Sequence, residues 1–283
     1  MWISTEFMDT VAHRQIDSRV EIARKALREC RLCPRNCGVD RTAGRKGYCR
    51  LDDGLRVYRE VLYWGEEKEL NPSHQVYFAG CNLKCDFCAV GEWNESPEDA
   101  PKADLDEIIE TIGRRKKEGA KNLNLLGGEP AVNVCGIIEL LGRLDDTTAV
   151  VWNSNMYYNT IVDELMAGLM DICLADFKCG NADCARRLLD SADYVEVVKE
   201  NIVRATRHCD VIVRCLALPG HIDCCAAPIL EWLAEEAPKV KVSLRGNYVP
   251  PAEAKEAPLG YLSPAEYKRA ERLAQKMKLT LIQ

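Results

Sequence analysis

The run Val76-Tyr77-Phe78-Ala79-Gly80, followed at once by Cys81-Asn82-Leu83-Lys84-Cys85-Asp86-Phe87-Cys88, sets the reading of the whole chain. Its first half is a short apolar stretch of the kind that fills a buried strand. Its second half puts three thiols within eight residues on the loop that leaves the strand. Soft thiolate sulfur at this density suits an iron–sulfur cluster or zinc. A usual cubane takes four cysteines; this loop supplies three, so one iron would be free to bind another ligand. The competing reading is half of a zinc site completed elsewhere in the chain.

Downstream of this loop, short apolar strands alternate with helical segments. Strands are expected at 76–80, 122–126, 149–153, 171–175, 211–217 and 240–245. Asp104 caps the first helix between them, with Glu107 completing a capping box. Leu105, Ile108, Ile109 and Ile112 then form one apolar face. Further helices are expected at 134–144, 160–169, 181–190, 195–208 and 226–236. Such alternation argues for an α/β fold with a parallel sheet covered by helices. Six strands are fewer than the eight of a complete barrel, which takes roughly 250 residues. The pattern therefore predicts an open, partial (β/α)6 barrel, with a doubly wound open sheet as the alternative.

Upstream, a helix is expected over 14–30. It leads into Cys30-Arg31-Leu32-Cys33-Pro34-Arg35-Asn36-Cys37-Gly38, then Gly44, Gly47 and Cys49. Cys30, Cys33, Cys37 and Cys49 make a four-thiol set that needs no ligand from elsewhere. Structural zinc and a second iron–sulfur cluster both fit it. Residues 55–64 read as a strand or strand pair. Beyond the strand series, Pro250, Pro251 and Pro258 mark an irregular loop over 247–262. Ser263-Pro264-Ala265-Glu266 opens a terminal helix, and Leu279-Thr280-Leu281-Ile282 reads as a short strand. The expected organisation is a Cys-rich N-terminal metal-binding element over 1–70, the barrel over 71–249, and a C-terminal loop, helix and strand over 250–283.

Composition narrows the function classes. The chain has 283 residues, 47% of them hydrophobic, which is enough for a large core. A net charge of −6 shows no basic excess, so no dedicated nucleic-acid surface is expected. No apolar run is long enough to span a membrane, and Met1-Trp2-Ile3-Ser4-Thr5-Glu6 lacks the pattern of a secretion signal. The chain reads as cytoplasmic. Its fifteen cysteines then point to metal or redox chemistry rather than disulfides. Some of them, such as Cys135 and Cys209, read as small buried hydrophobes.

In βα architectures chemistry gathers where strands run out into loops. The second strand ends in Gly127, Gly128, Glu129 and Pro130; paired glycines allow close backbone approach to a ligand. The third ends in Asn153, Ser154 and Asn155, either a polar binding cluster or a helix cap. Asp176 and Lys178 end the fourth on one side of the strand, as ligand-binding groups or a solvated ion pair. Arg214 is isolated in the apolar fifth strand and needs an anionic partner. His221 follows a Pro-Gly turn, and either touches a ligand or is structural. Cys224 and Cys225 beside it could donate hydrogen, ligate metal or do neither; Cys173 and Cys179 have no assigned role. Arg245, Asn247 and Tyr248 end the sixth strand as weaker candidates.

The Cys-x3-Cys-x2-Cys spacing, with an aromatic before the last Cys, resembles the signature of the radical S-adenosylmethionine (SAM) superfamily. The element Cys-x2-Cys-Pro-Arg-x-Cys-Gly-Val starting at Cys30 is similar to one in the branch related to pyruvate formate-lyase activating enzyme. The resemblance runs from Cys30 to about Tyr248 and implies the same partial barrel. It implies a [4Fe–4S] cluster on Cys81, Cys85 and Cys88, with SAM chelating the open iron. Gly127, Gly128, Glu129 and Pro130 would hold the SAM amino group. Asn153, Asn155, Asp176 and Lys178 would reach the SAM region, Arg214 its carboxylate or ribose, and His221 SAM or the substrate. Lys178 and His221 are the candidate catalytic groups. The implied activity is reductive cleavage of SAM to a 5′-deoxyadenosyl radical that abstracts hydrogen from a substrate. An electron donor such as flavodoxin or ferredoxin is then expected. The substrate would be a glycyl radical enzyme, or else a small molecule or peptide undergoing epimerisation or rearrangement. The reading outside enzymes is a non-catalytic iron–sulfur or zinc carrier.

Overall fold

The computed structural model describes residues 16–145 and 147–282. Residues 1–6, with their missing secretion pattern, and the first two positions of the helix expected at 14–30 lie outside the described residues.

Eight strands form one sheet in sequence order: β1 (Val57–Tyr63), β2 (Ser73–Phe78), β3 (Asn122–Gly127), β4 (Val150–Ser154), β5 (Ile172–Phe177), β6 (Asp210–Leu216), β7 (Lys241–Arg245) and β8 (Thr280–Ile282). β1 runs antiparallel to β2, and every later neighbour is parallel. Helix α1 (Ile16–Arg28) precedes the sheet. The short α2 (Gly91–Glu95) and α3 (Leu105–Lys117) follow β2, and α4 (Val134–Leu141) and α5 (Thr160–Met166) follow β3 and β4. α6 (Ala182–Leu189) and α7 (Tyr194–Ala205) both follow β5, α8 (Ala227–Glu236) follows β6, and α9 (Pro264–Lys276) leads into β8.

Strand order decides between the two architectures left open by the sequence. Right-handed crossovers between strands that always step the same way put all the connecting helices on one face. A doubly wound sheet needs a reversal of order, and this sheet has none. The expected six parallel strands become seven, because 280–282 pairs with β7, and the 55–64 segment is a single antiparallel edge strand. Asp104 caps α3 by accepting from the amides of Asp106 and Glu107. The full reciprocal capping box forms at α9, between Ser263 and Glu266.

Period-two alternation divides the strands. Val76 and Phe78, Leu123 and Leu125, Trp152, Cys173, Ala175, Phe177, Val213, Cys215 and Val242 pack with the helices in the main core. Cys173 and Cys179 thereby find their role as small buried apolar groups. The opposite parity faces the concave side. There Leu70, Val151, Ile172, Leu174 and Ile212 close one end with a small apolar cluster. One step further along the strands the concave side turns polar, through Gln75, Asn124, Arg214 and Arg245. No described helix is long and apolar enough to cross a membrane.

Candidate active site

The cysteine loop is fastened before any ligand arrives. Lys84 and Asp86 donate their amides to the carbonyls of Leu189 and Leu188 at the end of α6, and the Cys88 amide donates to Cys85 O at 3.0 Å. Asn82 donates to Tyr157 O and accepts from Asn155 Nδ2. From the N-terminal element, Arg35 Nε donates to Asn82 O at 2.9 Å while its guanidinium lies over Tyr48.

Amide N–H groups face the sulfurs. Leu83 N and Asn155 Nδ2 are 3.4 and 3.7 Å from Cys81 Sγ, and Asn94 Nδ2 is 3.5 Å from Cys88 Sγ. Burial pushes the Cys81 thiol well above its ordinary range, and pushes Cys85 up to about 12 even though Lys178 pulls it down. Thiols with N–H donors beside the sulfur, as at Cys81 and Cys88, yield their protons to a metal more readily than to water. The donor set fits an iron–sulfur cluster with one open iron.

At the end of β3 the two glycines are also required by the packing of the backbone. A Cβ on Gly127, which sits at φ +126°, would collide with the Phe78 backbone, and one on Gly128 with the Gly80 carbonyl. Without side chains, Gly128 N and Glu129 N donate to Phe78 O and Gly80 O at 2.7 and 2.9 Å, locking this turn to the base of the cysteine loop. The Glu129 carboxylate accepts from Ala131 N, Ser154 Oγ and Asn155 N. Burial pushes its carboxyl up to about 7, against the pull of those donors. Pro130 starts a buried 3-10 turn behind it. The cap of α5 is at Asn159, so the cluster at 153–155 is not a helix cap.

These groups line one cavity of about 870 Å³. It holds Cys81, Cys85 and Cys88, Gly127, Gly128 and Glu129, Asn153 and Asn155, and Asp176 and Lys178. Lys178 Nζ donates to Asp176 Oδ2 at 2.6 Å. Burial works against the Lys178 charge, but Asp176 and then the thiols of Cys85 and Cys81 outweigh it, so its pKa lies above the ordinary lysine value. Asn153 Nδ2 is buried on the wall with no partner among the described residues.

Several expectations change. Arg214 borders the cavity, yet its anionic partners are Glu66 and Glu67, which also take Arg245. The buried arginine's need for an anion is met from within the chain, so no SAM carboxylate is required. His221 is not among the cavity's lining residues. A turn of π-helix over Ile222–Ala226 follows it, and its Nδ1 lies among Cys184, Cys224 and Cys225. Pro130 likewise lies outside the lining, Asn247 is exposed, and Tyr248 braces the following loop by donating to Pro258 O. Cys30, Cys33, Cys37 and Cys49 are not among the cavity's lining residues. Burial, with Cys49, Cys30 and Cys37 adding to it, pushes the Cys33 thiol up to about 12. A second cavity, of about 520 Å³ beside α1 and α4, contains none of the strand-end residues.

Sequence reasoning passed over several wall residues. Tyr48 and Arg50 arrive from the N-terminal element, and Pro251, Glu253, Lys255 and Glu256 from the irregular loop after β7. That loop is strapped across the cavity by Asp86, whose Oδ2 accepts from the amides of Lys255, Glu256 and Ala257 at 2.9, 2.6 and 2.8 Å. Burial alone would raise the Asp86 pKa; these amides hold it below the usual carboxylate range. Nothing in the spacing of the sequence marks Asp86 apart from the cysteines that flank it. Replacing it with Ala frees the strap, and is expected to weaken SAM binding about tenfold, or about 1.4 kcal/mol. Calorimetric titration of cluster-loaded protein measures this; Asp86→Asn, which keeps one acceptor oxygen, should lose less.

The sheet and the site define a class. The sequence profile of the Radical SAM superfamily matches residues 76–233, and the chain belongs to that family. Family membership implies an enzyme with a [4Fe–4S] cluster and SAM. Uncharacterized protein MJ0674 of Methanocaldococcus jannaschii is 34% identical over 285 residues, covering 97% of this chain and 82% of that one. A radical SAM methyltransferase from Sphaerobacter thermophilus shares the fold, with TM-score 0.53 at 15% identity, over 97% of this chain and 93% of that one. So does Streptococcus suis SuiB bound to S-adenosylmethionine, with TM-score 0.50 at 14% identity, over 71% of this chain and 47% of that one.

Proposed function

We propose that the chain cleaves SAM reductively and uses the product to abstract hydrogen, in the manner of the enzymes that activate glycyl radical enzymes. The supporting observation is that four successive strand ends deliver their polar groups into one cavity: the cysteine loop, Gly127 to Glu129, Asn153 with Asn155, and Asp176 with Lys178. When bound, the cluster supplies the electron that splits SAM into methionine and a 5′-deoxyadenosyl radical.

The chain's own residues orient and seclude. Cys81, Cys85 and Cys88 would hold the cluster and leave one iron to the SAM amino and carboxylate groups. Lys178, kept charged by Asp176, offers a cation beside the thiols, and Asn153 Nδ2 offers an unused donor. Charges of both signs on the wall suit a zwitterionic ligand. The strap over residues 251–256 limits the entry of water and stray hydrogen donors. A metal carrier would need none of these groups.

Anaerobically reconstituted protein given dithionite and SAM should form 5′-deoxyadenosine. A filled cluster with no product would sink the reading. The activase assignment draws on the cysteine element at 30–49. Deuterium transferred into 5′-deoxyadenosine from a glycine-labelled partner protein supports that assignment. Transfer from a low-mass substrate or peptide instead would assign the enzyme to the modifying class.

A further inference from the structure

Four soft ligands unused by the SAM site converge beside it. Cys184 stands in the first turn of α6; His221, Cys224 and Cys225 lie on and just before the π-turn that leads into α8. His221 Nδ1 is 3.4 Å from Cys224 Sγ, 3.6 Å from Cys184 Sγ and 3.9 Å from Cys225 Sγ. Cys184 Sγ and Cys224 Sγ are 3.8 Å apart, and all four ligand atoms lie within 4.8 Å of one another. A tetrahedral ion with metal–sulfur bonds of about 2.3 Å and metal–nitrogen bonds of about 2.0 Å spaces its ligand atoms about 3.5–3.8 Å apart. The observed separations cluster around that value. A cubane spreads its thiolates over the outer corners of a four-iron core, which needs much wider spacing.

The backbone is arranged around this point. Cys225 N and Ala226 N both donate to His221 O, at 2.9 and 3.2 Å, and this turn brings positions 221, 224 and 225 together. A Cβ on Gly180 would collide with the Cys225 carbonyl, so glycine is what lets the β5–α6 connection approach the β6–α8 connection. Asn181 supports the sulfurs: its Nδ2 is 3.2 Å from Cys184 Sγ and 3.9 Å from Cys225 Sγ, while its Oδ1 accepts from Cys184 N. Such outer hydrogen bonds orient metal ligands and stabilise thiolates.

We propose that Cys184, His221, Cys224 and Cys225 bind a single tetrahedral divalent ion, zinc by its sulfur and nitrogen donors. All four positions are filled by protein, so the ion is structural. It staples the two connections together, six residues from Lys178 in the SAM cavity.

Zinc and iron are measured on the reconstituted full chain, incubated with Zn²⁺ and desalted, and on the Cys184→Ser/Cys224→Ser double variant. The variant should hold one zinc fewer per chain at unchanged iron. Unchanged zinc overturns the proposal, as does loss of iron in place of zinc. His221→Cys guards against loss by misfolding. Loaded with Co²⁺, it should keep the ion and show stronger, red-shifted thiolate-to-cobalt charge transfer than the wild type. A spectrum identical to that of the wild type overturns the site.

Discussion

Cys85→Ala is expected to reduce 5′-deoxyadenosine formation to the background of cluster-free protein. The loop would then offer two thiolates, Cys81 and Cys88, too few to hold a cubane. Cys85 is half-buried on the loop, so its truncation opens little core. The circular dichroism melt should therefore stay close to that of the wild type, while cluster iron and its visible absorbance fall together with product. Cys135→Ala serves as the control, since Cys135 is buried beside the second cavity, away from the strand ends. It should retain both iron and product. Wild-type turnover by Cys85→Ala would remove the loop's claim to the ligand set.

What the sequence made legible was local. Apolar runs marked strands and their spacing marked crossovers, because period-two and helical patterns are written in neighbouring residues. The cysteine loop, Gly127 to Glu129 and the Asp176/Lys178 pair were legible for the same reason: each is one short segment on one strand end. What escaped was non-local. Arg214 announced its need for an anion, but Glu66 and Glu67 lie 148 and 147 residues away. His221 followed a Pro-Gly turn towards the expected ligand, and only the π-turn over 222–226 carries it to Cys184, 37 residues distant. The two glycines at the end of β3 line the cavity, and they also make room for the Phe78 and Gly80 backbone, a second demand that the turn itself does not announce. Strand pairing across the sheet sets that demand.

Glu67→Ala tests the polar layer beside the strand-end cavity and carries the largest expected loss of stability. Glu67 is fully buried. Its Oε1 accepts from Arg214 Nε at 2.8 Å and Arg245 Nη2 at 2.9 Å, and its Oε2 accepts from Arg214 Nη2 at 2.7 Å. Glu66 completes the charge balance, accepting from Arg214 and, through Oε1, from Gln75 and Asn124. Removing one carboxylate leaves two arginines facing one, and breaking a buried pair on one side costs about 3–5 kcal/mol. For a chain of this size that is a fall in Tm of roughly 6–20 °C. The double variant Glu67→Leu/Arg214→Leu restores the balance between Glu66 and Arg245 and should regain most of the loss. The pH dependence has a definite sign. Burial alone would raise the Glu67 pKa, but the bonds from Arg214 and the charges of Arg214 and Arg245 hold it down to about 2, from an ordinary 4.5. A depressed carboxylate stabilises the fold fully above its unfolded value and loses that contribution as pH falls through the folded one. The gap between wild type and Glu67→Ala in urea unfolding should therefore be full above about pH 4.5 and shrink towards pH 2. A gap under about 1 kcal/mol at neutral pH would equal that of a solvated surface pair. It would mean that water reaches this layer, leaving Arg214 available to the cavity beside it.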